Sequence, residues 1–561
     1  MSNLRIWTLS LVGVLFCALA AVGCGGSSTQ PAATTAAPDV RYAAMSTLET
    51  LQASLSAETP AEVSAQLAAK MASMPEFTES GVTPDHCAYG RFTDGRLIIF
   101  VNNRQPAPEV ATYPAVVPSG RLGGSSLTPG QFRLIDTMGN MFQHPVNTMY
   151  PTLVAAGMQP AGPIQKGTVD EFLTMKGDGF IYLDAHGMSV DLKSGERVTA
   201  IWTGTQATKE LDEKYKAMLD AEELVYCVGI YDSGQPQRKH YGMTPAFFKK
   251  YVSFAPNSVV FFNACHSANE DMAAACKSAG AGIYMGWDNS TEDLSAIYAA
   301  YFLLDRTLGL YKLEPQVENP AEKQALDMRE LISAMATSKC PQTNEMYDIS
   351  RATKAKLRFV LGNETLGGVV PVIADAEVDS TTGIINLVGV FDTTPGSVLA
   401  NVTETSAGAP LPIVSWSNSS ISVQGNPSVD SVVVKVGGRS SKPRLLTGTF
   451  VLSGNQPVSG EPAGPIEVRS KLVVQLNGET VYSDPDGAVR GNRGPITFKA
   501  KKGDSLKIQV FSDEIYGGLG DVYITGPNGK TYRIVARTVD YITDKATRTA
   551  FTRSWDLRYY F

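Results

Sequence analysis

Two short segments of the chain carry a histidine and a cysteine directly after apolar runs. Phe180–Leu183 leads into Asp-Ala-His-Gly (184–187), and Val259–Phe262 leads into Asn-Ala-Cys-His-Ser (263–267). An apolar run of this length, bounded by small or polar residues, predicts a buried strand. Loops at the carboxyl ends of neighbouring parallel strands build the sites of open α/β sheets. An imidazole and a thiol in such loops are the two groups that a cysteine nucleophile requires.

The cysteine of the second segment, Cys265, is predicted to lie just before a helix. The residues from Ser267 to Glu270 match a capping box, and a helical pattern continues over residues 272–278. A helix N-terminus favours a thiolate and lowers the pKa of a thiol. We therefore expect Cys265 to be an exposed and activated nucleophile.

The histidine of the first segment, His186, is the candidate base. Of the five histidines, it alone lies directly after a buried-strand signal and directly before a glycine. Near neutral pH an imidazole can accept the thiol proton and later protonate the departing amine. His86, His144 and His240 lack metal-ligand spacing. We predict neither a metal centre nor a cofactor.

The order strand-His-Gly followed by strand-Ala-Cys-x-Ser resembles the caspase-like (clan CD) cysteine peptidases, among them gingipain, clostripain, legumain and the metacaspases. The resemblance implies that Cys265 is the nucleophile and His186 the base. It also implies that the backbone amides of Gly187 and Cys265 bind the oxyanion, and such donors lower the barrier by about 2.7–4 kcal/mol each. In the metacaspase motif a histidine follows the nucleophile without being the base, so His266 is assigned a structural role.

Four residues near the two motifs are candidates for a substrate pocket. The metacaspase Asp that helps to bind a basic P1 side chain is replaced here by Asn263, so the resemblance does not extend to a preference for Arg or Lys. Trp287 and Asp288 end the next apolar run and offer a pocket wall and a carboxylate, with a buried Trp and a turn Asp as the alternative. Asp184 either lines the site or begins the turn, and the turn is favoured.

The N-terminal residues 1–23 match a bacterial lipoprotein signal peptide. An apolar stretch ends in Ala-Val-Gly before Cys24, the candidate lipidated residue, and an ordinary secretory signal is the alternative. Residues 24–41 predict a flexible tether. Acyl chains on Cys24 would hold the protein at a membrane without a spanning helix. Gly25 is compatible, by resemblance to Gram-negative lipoproteins, with an outer-membrane location.

The rest of the chain divides into one α/β part and two β parts. Residues 42–368 are the predicted catalytic domain, with two helices over residues 42–74 and alternating strands and helices from about residue 90 to 365. Thr59–Glu62 and Thr168–Glu171 match capping boxes, Arg197–Thr203 is strand-like, and residues 131–157 are predicted to be mostly helical. The alternation is typical of a mostly parallel, doubly wound sheet. Residues 370–447 and 448–561 are rich in short strands with regular turns, which favours sandwiches. The first faintly resembles an IPT/TIG immunoglobulin-like module. The predicted fold class is an α/β caspase-like sheet flanked by helices, followed by two all-β sandwich domains.

The composition of the chain restricts the classes of molecule that it is expected to bind. The 561 residues carry a formal charge of -7 without a Lys/Arg-rich run, which argues against nucleic acid. The cysteines are too few for a disulfide framework, although Cys87 could pair with Cys227 or Cys340.

The sequence therefore predicts a cysteine endopeptidase that is lipid-anchored at the bacterial envelope and acts on a peptide or protein substrate. Its β-sandwich modules would bind an unknown surface partner. Two alternatives remain. One is a catalytically inactive caspase-like adhesion or scaffold lipoprotein, and the other is an acyltransferase or sortase-like ligase that uses the same dyad.

Overall fold

A computed structural model describes most of the chain from Ala37 onward. The predicted signal peptide and the candidate lipidation site Cys24 lie outside the described residues. The described residues are 37–55, 58–102, 126–139, 144–229, 239–314, 324–362, 366–379, 382–403, 405–426, 428–453, 457–458, 470–484, 495–501, 504–512, 516–519, 522–527, 531–535, 538–541 and 549–557.

The described residues form a mixed α/β protein with ten helices and several β-sheets. All ten helices lie in the first 340 residues. They are α1 Pro38–Ser54, α2 Pro60–Ala72, α3 Pro145–Ala155, α4 Val169–Leu173, α5 Lys209–Lys214, α6 Lys216–Asp220, α7 Pro245–Tyr251, α8 Glu270–Ser278, α9 Asp293–Thr307 and α10 Met328–Thr337.

The strands continue along the whole chain. In the α/β part they are β1 Phe77–Val82, β2 Ala88–Phe92, β3 Leu97–Val101, β4 Ser126–Leu127, β5 Gln131–Asp136, β6 Gln159–Pro160, β7 Lys176–Asp184, β8 Gly187–Asp191, β9 Arg197–Gln206, β10 Leu224–Gly229, β11 Lys239–Met243, β12 Ser253–Asn263, β13 Ile283–Trp287, β14 Leu357–Leu361 and β15 Leu366–Gly368. The next group is β16 Val372–Val378, β17 Ile384–Val390, β18 Ser397–Ala400, β19 Ala409–Pro410, β20 Ile413–Trp416, β21 Ser420–Gln424, β22 Ser431–Val436, β23 Arg439–Ser440 and β24 Arg444–Leu445. The last group is β25 Thr447–Ser453, β26 Pro457–Val458, β27 Ser470–Leu476, β28 Glu479–Ser483, β29 Ile496–Lys501, β30 Ser505–Ser512, β31 Tyr516–Leu519, β32 Val522–Thr525, β33 Thr531–Val535, β34 Thr538–Tyr541 and β35 Thr549–Asp556.

A six-stranded sheet holds both motif strands. Its order is β14-β13-β12-β7-β5-β6, and every neighbouring pair is parallel except β13 with β14. The apolar runs at Phe180–Leu183 and Val259–Phe262 are fully buried, as expected for strands covered on both faces. The prediction of buried strands before the two motifs is therefore confirmed.

The predicted helix at residues 131–157 is wrong in its first part. Residues 131–136 form strand β5, which pairs in parallel with β7, and α3 begins only at Pro145. Phe132, Leu134 and Ile135 are buried, so the strand contributes to the core on both of its faces. A short apolar run does not by itself distinguish a strand from a buried helix.

The α/β part contains a second sheet, which has seven strands. Its order is β1-β2-β3-β10-β11-β9-β8, and only the β3–β10 pair is parallel. The expectation of a single doubly wound, mostly parallel sheet therefore describes the six-stranded sheet and not this one. The chain passes from the first sheet to the second between β7 and β8, where His186 lies.

The N-terminal helices pack on the second sheet. The predicted capping boxes are confirmed at Thr59 for α2 and at Thr168 for α4. Helix α1 begins at Pro38, so the last residues of the predicted tether are helical. Arg41 on this helix is buried and forms an ion pair with the fully buried Asp212.

The β strands after residue 372 form only antiparallel pairs among the described residues. Strands β16–β24 make two sheets, with the orders β16-β17-β21-β20 and β19-β18-β22-β23, and β24 pairs with β22. Their buried side chains belong to the same apolar cluster as the core of the six-stranded sheet. The buried Arg439 side chain donates hydrogen bonds to the carbonyl oxygens of Thr128 (2.5 Å) and Val369 (2.8 Å). The first β part is thus packed tightly against the α/β part.

The described cysteines form no disulfide bond. The thiols of Cys87, Cys227, Cys265, Cys276 and Cys340 are all free, so the considered pairings of Cys87 are not formed. No helix among the described residues has the length and apolar character needed to cross a membrane.

Replacing Arg439 with Ala should destabilise the protein because two buried carbonyl groups lose a donor. A buried polar group left unsatisfied costs about 1–3 kcal/mol, so we expect the free energy of unfolding to fall by about 2–4 kcal/mol. Urea denaturation followed by tryptophan fluorescence measures this change. The control is Lys435→Ala, on the exposed side of β22, which should change stability by about 0.5 kcal/mol at most. Equal stability of the two variants would contradict the assigned role of Arg439.

Candidate active site

The two motif loops begin at the same level of the six-stranded sheet. Strands β7 and β12 pair in parallel with Leu183 opposite Phe262 and Asp184 opposite Asn263. His186 and Cys265 each follow the paired Asp184 and Asn263 by two residues. The register therefore brings the histidine loop and the cysteine loop side by side at the carboxyl edge of the sheet, where α/β sheets hold their sites.

Gly187 is in direct contact with the backbone of Cys265. A Cβ atom on Gly187 would lie 1.9 Å from the Cys265 carbonyl oxygen, well inside the distance at which atoms overlap. Any side chain here would push the two loops apart. The close approach explains why glycine follows the histidine, and it shows that the two motifs meet.

The Cys265 thiol is half-buried and bonded to the loop after β13. Its Sγ accepts a hydrogen bond from the Thr291 amide (3.3 Å) and lies 3.6 Å from the Thr291 carbonyl oxygen, to which the thiol donates. Burial raises the pKa of Cys265 to about 11; the Asp85 carboxylate adds to the rise and the Thr291 amide opposes it. The thiol is therefore protonated at neutral pH in this resting arrangement.

The predicted capping box at Ser267 is wrong, and with it the expected lowering of the Cys265 pKa. Helix α8 begins at Glu270, and its N-cap is Asn269, whose side chain accepts a hydrogen bond from the Asp271 amide. Ser267 is instead buried in the turn, where its hydroxyl donates to the Ala264 carbonyl oxygen. Helix-dipole effects fade within the first turn, so burial dominates at Cys265.

The His186 imidazole stands beside an aromatic side chain of the second sheet. The Trp202 amide on β9 donates to the His186 carbonyl oxygen (2.9 Å). The ring centroids of these residues are 5.6 Å apart at an interplanar angle of 75°, an edge-to-face contact. The His240 ring lies on the same indole, with centroids 4.7 Å apart. Trp202 is almost fully buried, so it restricts the orientation of the His186 ring.

Two of the four candidate pocket residues are occupied with each other. The buried Asn263 side chain accepts a hydrogen bond from the Trp287 indole (2.8 Å) and donates one to the Tyr182 hydroxyl (2.8 Å). Trp287 is completely buried. The alternative of a buried Trp agrees with this packing, and both side chains support the loop that carries Cys265 from within.

Asp288 also has a structural partner. Its carboxylate accepts hydrogen bonds from the Lys356 amide (2.7 Å) and from the Arg358 guanidinium (2.8 Å) on β14. The turn alternative for this residue agrees with these contacts. They hold the loop after β13, which carries Thr291, against the antiparallel edge strand.

Asp184 lies at the end of β7 within a group of carboxyl side chains. Its backbone carbonyl accepts a hydrogen bond from the Thr137 amide (3.0 Å). Burial raises the pKa of the Asp184 carboxyl well above its ordinary value, and the nearby carboxylates of Asp136 and Asp293 raise it further. Of the four predicted pocket residues, it lies nearest in the chain to His186. Asp136 was missed because residues 131–157 were read as helical.

His266 is held in the fold's interior and not in a catalytic arrangement. Its ring Nε2 lies 3.1 Å from the Ser290 hydroxyl and 3.6 Å from a carboxylate oxygen of Asp85. A Ser-His-Asp triad requires the hydroxyl and the carboxylate at different ring nitrogens, so these three side chains do not form one. Burial lowers the pKa of His266, against the opposing effect of Asp85. The predicted structural role of His266 agrees with this geometry.

Three residues near His186 and Cys265 are not identified by the sequence patterns. Trp202 lies in a segment that was predicted to be a strand, but its position beside His186 follows from the pairing of β8 with β9. Thr291 and Asp85 carry no motif. Among the described residues, no group of three or more His, Cys, Asp or Glu side chains is arranged to hold a metal ion.

No protein-family model matches this chain, and no match is found among curated proteins.

Replacing Gly187 with Ala should disable the site because the new methyl group overlaps the Cys265 carbonyl oxygen. We expect the rate of Cys265 modification by an electrophilic peptide probe to fall by about 100-fold, as displacements of about 1 Å cost at active sites. Mass spectrometry of the labelled peptide measures this rate. The control is Gly162→Ala, where a Cβ atom would make only an ordinary contact at 3.8 Å. Unchanged labelling of the Gly187 variant would rule out the close contact.

The raised pKa predicts the pH dependence of alkylation by iodoacetamide. Only the thiolate reacts, and well below a pKa of about 11 its fraction rises tenfold for each pH unit. The alkylation rate of Cys265 should therefore rise by about tenfold per unit from pH 7 to 10, while the fully buried Cys276 stays unmodified. A plateau reached below pH 8 would instead indicate a preformed thiolate.

Proposed function

We propose that this protein is a cysteine peptidase of the caspase-like type, with Cys265 as the nucleophile and His186 as the base. The observation that carries the proposal is the direct contact of Gly187 with Cys265 at the ends of adjacent parallel strands. The contact joins two loops that are 79 positions apart in the sequence. A thiol and an imidazole on such loops are the groups that nucleophilic catalysis requires.

In the proposed reaction the Cys265 sulfur attacks the scissile carbonyl carbon while His186 accepts the thiol proton. The negative charge moves to the carbonyl oxygen, where the amides of Gly187 and Cys265 are proposed to bind it. The carbon–nitrogen bond then breaks, and His186 returns the proton to the departing amine. Water, deprotonated by His186, then attacks the thioester carbon; the carbon–sulfur bond breaks to release the acid, and His186 returns the proton to the Cys265 sulfur.

The raised pKa of Cys265 fits a mechanism in which the proton moves only during attack. A thiol with a pKa of about 11 does not give up its proton to an imidazole at rest. A substrate that displaces the Thr291 contacts from Sγ would free the thiol to approach the carbonyl carbon. The Trp202 ring would meanwhile keep the His186 imidazole oriented for the proton transfer.

The remaining parts of the proposal concern placement. We propose two β-sandwiches, one formed by β16–β24 and one by the strands after Leu446, that position the enzyme or bind a surface partner. Lipidation at Cys24 would anchor the chain to the cell envelope, with the outer membrane as the proposed location. The proposals for the two sandwiches and for the lipid anchor are based on the sequence pattern and on analogy of architecture. Such analogy does not by itself establish function.

A competing proposal is an inactive scaffold that retains the same fold. The observation in its favour is that the Cys265 sulfur is engaged by Thr291 on both its donor and acceptor sides, with a raised pKa. A scaffold protein would not require the His186 imidazole to be oriented toward the Cys265 thiol. Its thiol would react no faster with His186 than without it.

The test is labelling by a peptidyl acyloxymethyl ketone at pH 7. If the dyad works, Cys265 is labelled at least 100-fold faster in the native protein than in His186→Ala, because general-base assistance contributes 10²–10⁴-fold. Cys276→Ala serves as the matched thiol control and should label like the native protein. Slow labelling that is equal with and without His186 would support the scaffold. With a cleavable peptide and an added amine, the product mass distinguishes an acid from an amide and so separates a peptidase from a ligase.

A further inference from the structure

A buried carboxylate from the N-terminal segment reaches the back of the nucleophile turn. Asp85 lies in the turn between β1 and β2 and is completely buried. Its carboxylate accepts hydrogen bonds from the Ser189 amide (3.0 Å) and the Thr83 hydroxyl. One of its oxygens is 3.6 Å from Nε2 of His266. A buried charge is costly unless it is bonded, so the site of this carboxylate is well defined.

His266, the residue directly after the nucleophile, has a strained backbone. Its φ of 56° is in the left-handed region, which costs a non-glycine residue about 1–2 kcal/mol. Strain of this kind persists only where the surroundings enforce it, and it is typical of functional sites. Here the His266 amide donates to the Asn289 carbonyl oxygen (3.2 Å), and its carbonyl accepts from the Thr199 hydroxyl (2.7 Å). The imidazole is the third point of attachment.

Three elements that are distant in the sequence therefore hold His266, whose backbone sets the direction of the chain after Cys265. They are the β1–β2 turn, strand β9 and the loop after β13. Only the first places a charged side chain within 4 Å of the His266 ring. Since φ of His266 and its ring position are fixed together, a shift of the imidazole would tilt the peptide that follows Cys265.

On the basis of the peptidase function proposed above, we propose that Asp85 is a positioning residue that holds the His266 imidazole and thereby the turn that presents the Cys265 thiol. Asp85 does not touch the substrate. It would instead fix the position of the Cys265 thiol, although Asp85 lies 180 residues before Cys265 in the chain. The N-terminal helices and strands β1–β3 are then part of the catalytic unit.

The charged and titratable groups around Asp85 determine the sign of its electrostatic effect. Burial is the main cause of the raised pKa of Cys265, the Thr291 amide opposes it, and the Asp85 carboxylate adds a smaller rise; Asp85 also acts on the Arg197 guanidinium. Asp288 acts on His266 in the same direction as Asp85. Loss of the Asp85 charge should therefore lower the pKa of Cys265, which increases the thiolate fraction at a given pH. The Cys87 thiol also lies near this carboxylate, with its sulfur 3.7 Å from an Asp85 oxygen.

A purely local role for Asp85 makes a different prediction. The Thr83 and Ser189 bonds alone could make this carboxylate a cap of its own turn. In that case Asp85→Asn, which keeps the shape and one acceptor oxygen, would change stability without changing kcat. A positioning role and a purely local role of Asp85 are therefore distinguished by measuring kcat and not by measuring stability.

The experiment compares Asp85→Asn, His266→Gly and the double variant in cleavage of a peptide substrate by the full chain. Glycine adopts a positive φ without strain, so His266→Gly removes the imidazole and keeps the turn accessible. We expect each single variant to lower kcat by about 10- to 100-fold, with KM within about twofold. The double variant should be no worse than the poorer single variant, because both remove one linkage. Multiplicative losses, or an unchanged kcat in His266→Gly, would overturn the proposal even if Asp85→Asn failed to fold.

The matched control is Asp178→Asn. Asp178 is also buried on a strand and bonded, in this case to the Arg133 guanidinium (2.6 Å). It lies six residues from the active-site end of β7, a distance of about 20 Å. Its replacement should affect stability but leave kcat unchanged. A similar loss of kcat in this control would assign the effect of Asp85 to general destabilisation.

A second measurement does not need a peptide substrate. The pH midpoint of Cys265 alkylation by iodoacetamide, followed by mass spectrometry, should fall in Asp85→Asn and stay unchanged in Asp178→Asn. An unchanged midpoint in Asp85→Asn would count against the proposal. If the native protein cleaved no peptide while this shift was observed, the peptidase function would fail, and the electrostatic effect of Asp85 on Cys265 would still stand.

Discussion

The in-register parallel pairing of β7 with β12 is the constraint on which the candidate site depends. Because Asp184 stands opposite Asn263, the two chains leave the sheet at one level and meet two residues later. A slip by one residue would turn the side chains of either strand to the opposite faces. The contact between Gly187 and the Cys265 carbonyl group then leaves no room for a Cβ atom. Strand pairing and one missing side chain together bring the imidazole and thiol loops into contact.

The site also joins two sheets of different character. The six-stranded sheet supplies the ends of β7 and β12, while the second sheet supplies Trp202 from β9 and the turn that carries Asp85. His186 lies where the chain crosses from one sheet to the other. Its position therefore depends on both, and residues of the N-terminal segment act on the same turn as residues near position 290. Because both sheets contribute contacts, many buried hydrogen bonds surround a site that has only two proposed reactive groups.

Burial and local bonding decide the state of the thiol. The residues between Cys265 and α8 form a turn, so the helix dipole is too far away to offset the loss of solvation. The Thr291 amide favours the thiolate, but its effect is smaller than that of burial. The same turn holds the buried His266, whose pKa burial lowers, and the hydrogen-bonded Ser267 hydroxyl. A buried and hydrogen-bonded setting of this kind suits the proposed nucleophile, whose proton would be removed only when the carbonyl carbon is in place.

The amino-acid sequence by itself determined the features that arise within a few residues. The apolar runs before both motifs form buried strands, and the capping boxes at Thr59 and Thr168 form as predicted, because strand burial and helix capping depend on local side chains. The pairing of His186 with Cys265 as candidates also came from such local patterns.

Only the tertiary structure decided which segments lie next to one another. Residues 131–136 became a strand because β7 offered an open edge and the core required their apolar side chains. Asn263 and Trp287 bond to each other inside the fold, a match that no spacing rule contains. Asp85 meets His266 across 181 positions. Contacts of this range depend on sheet order and register, which sum many weak interactions over the whole chain and leave no signature in any short window of sequence.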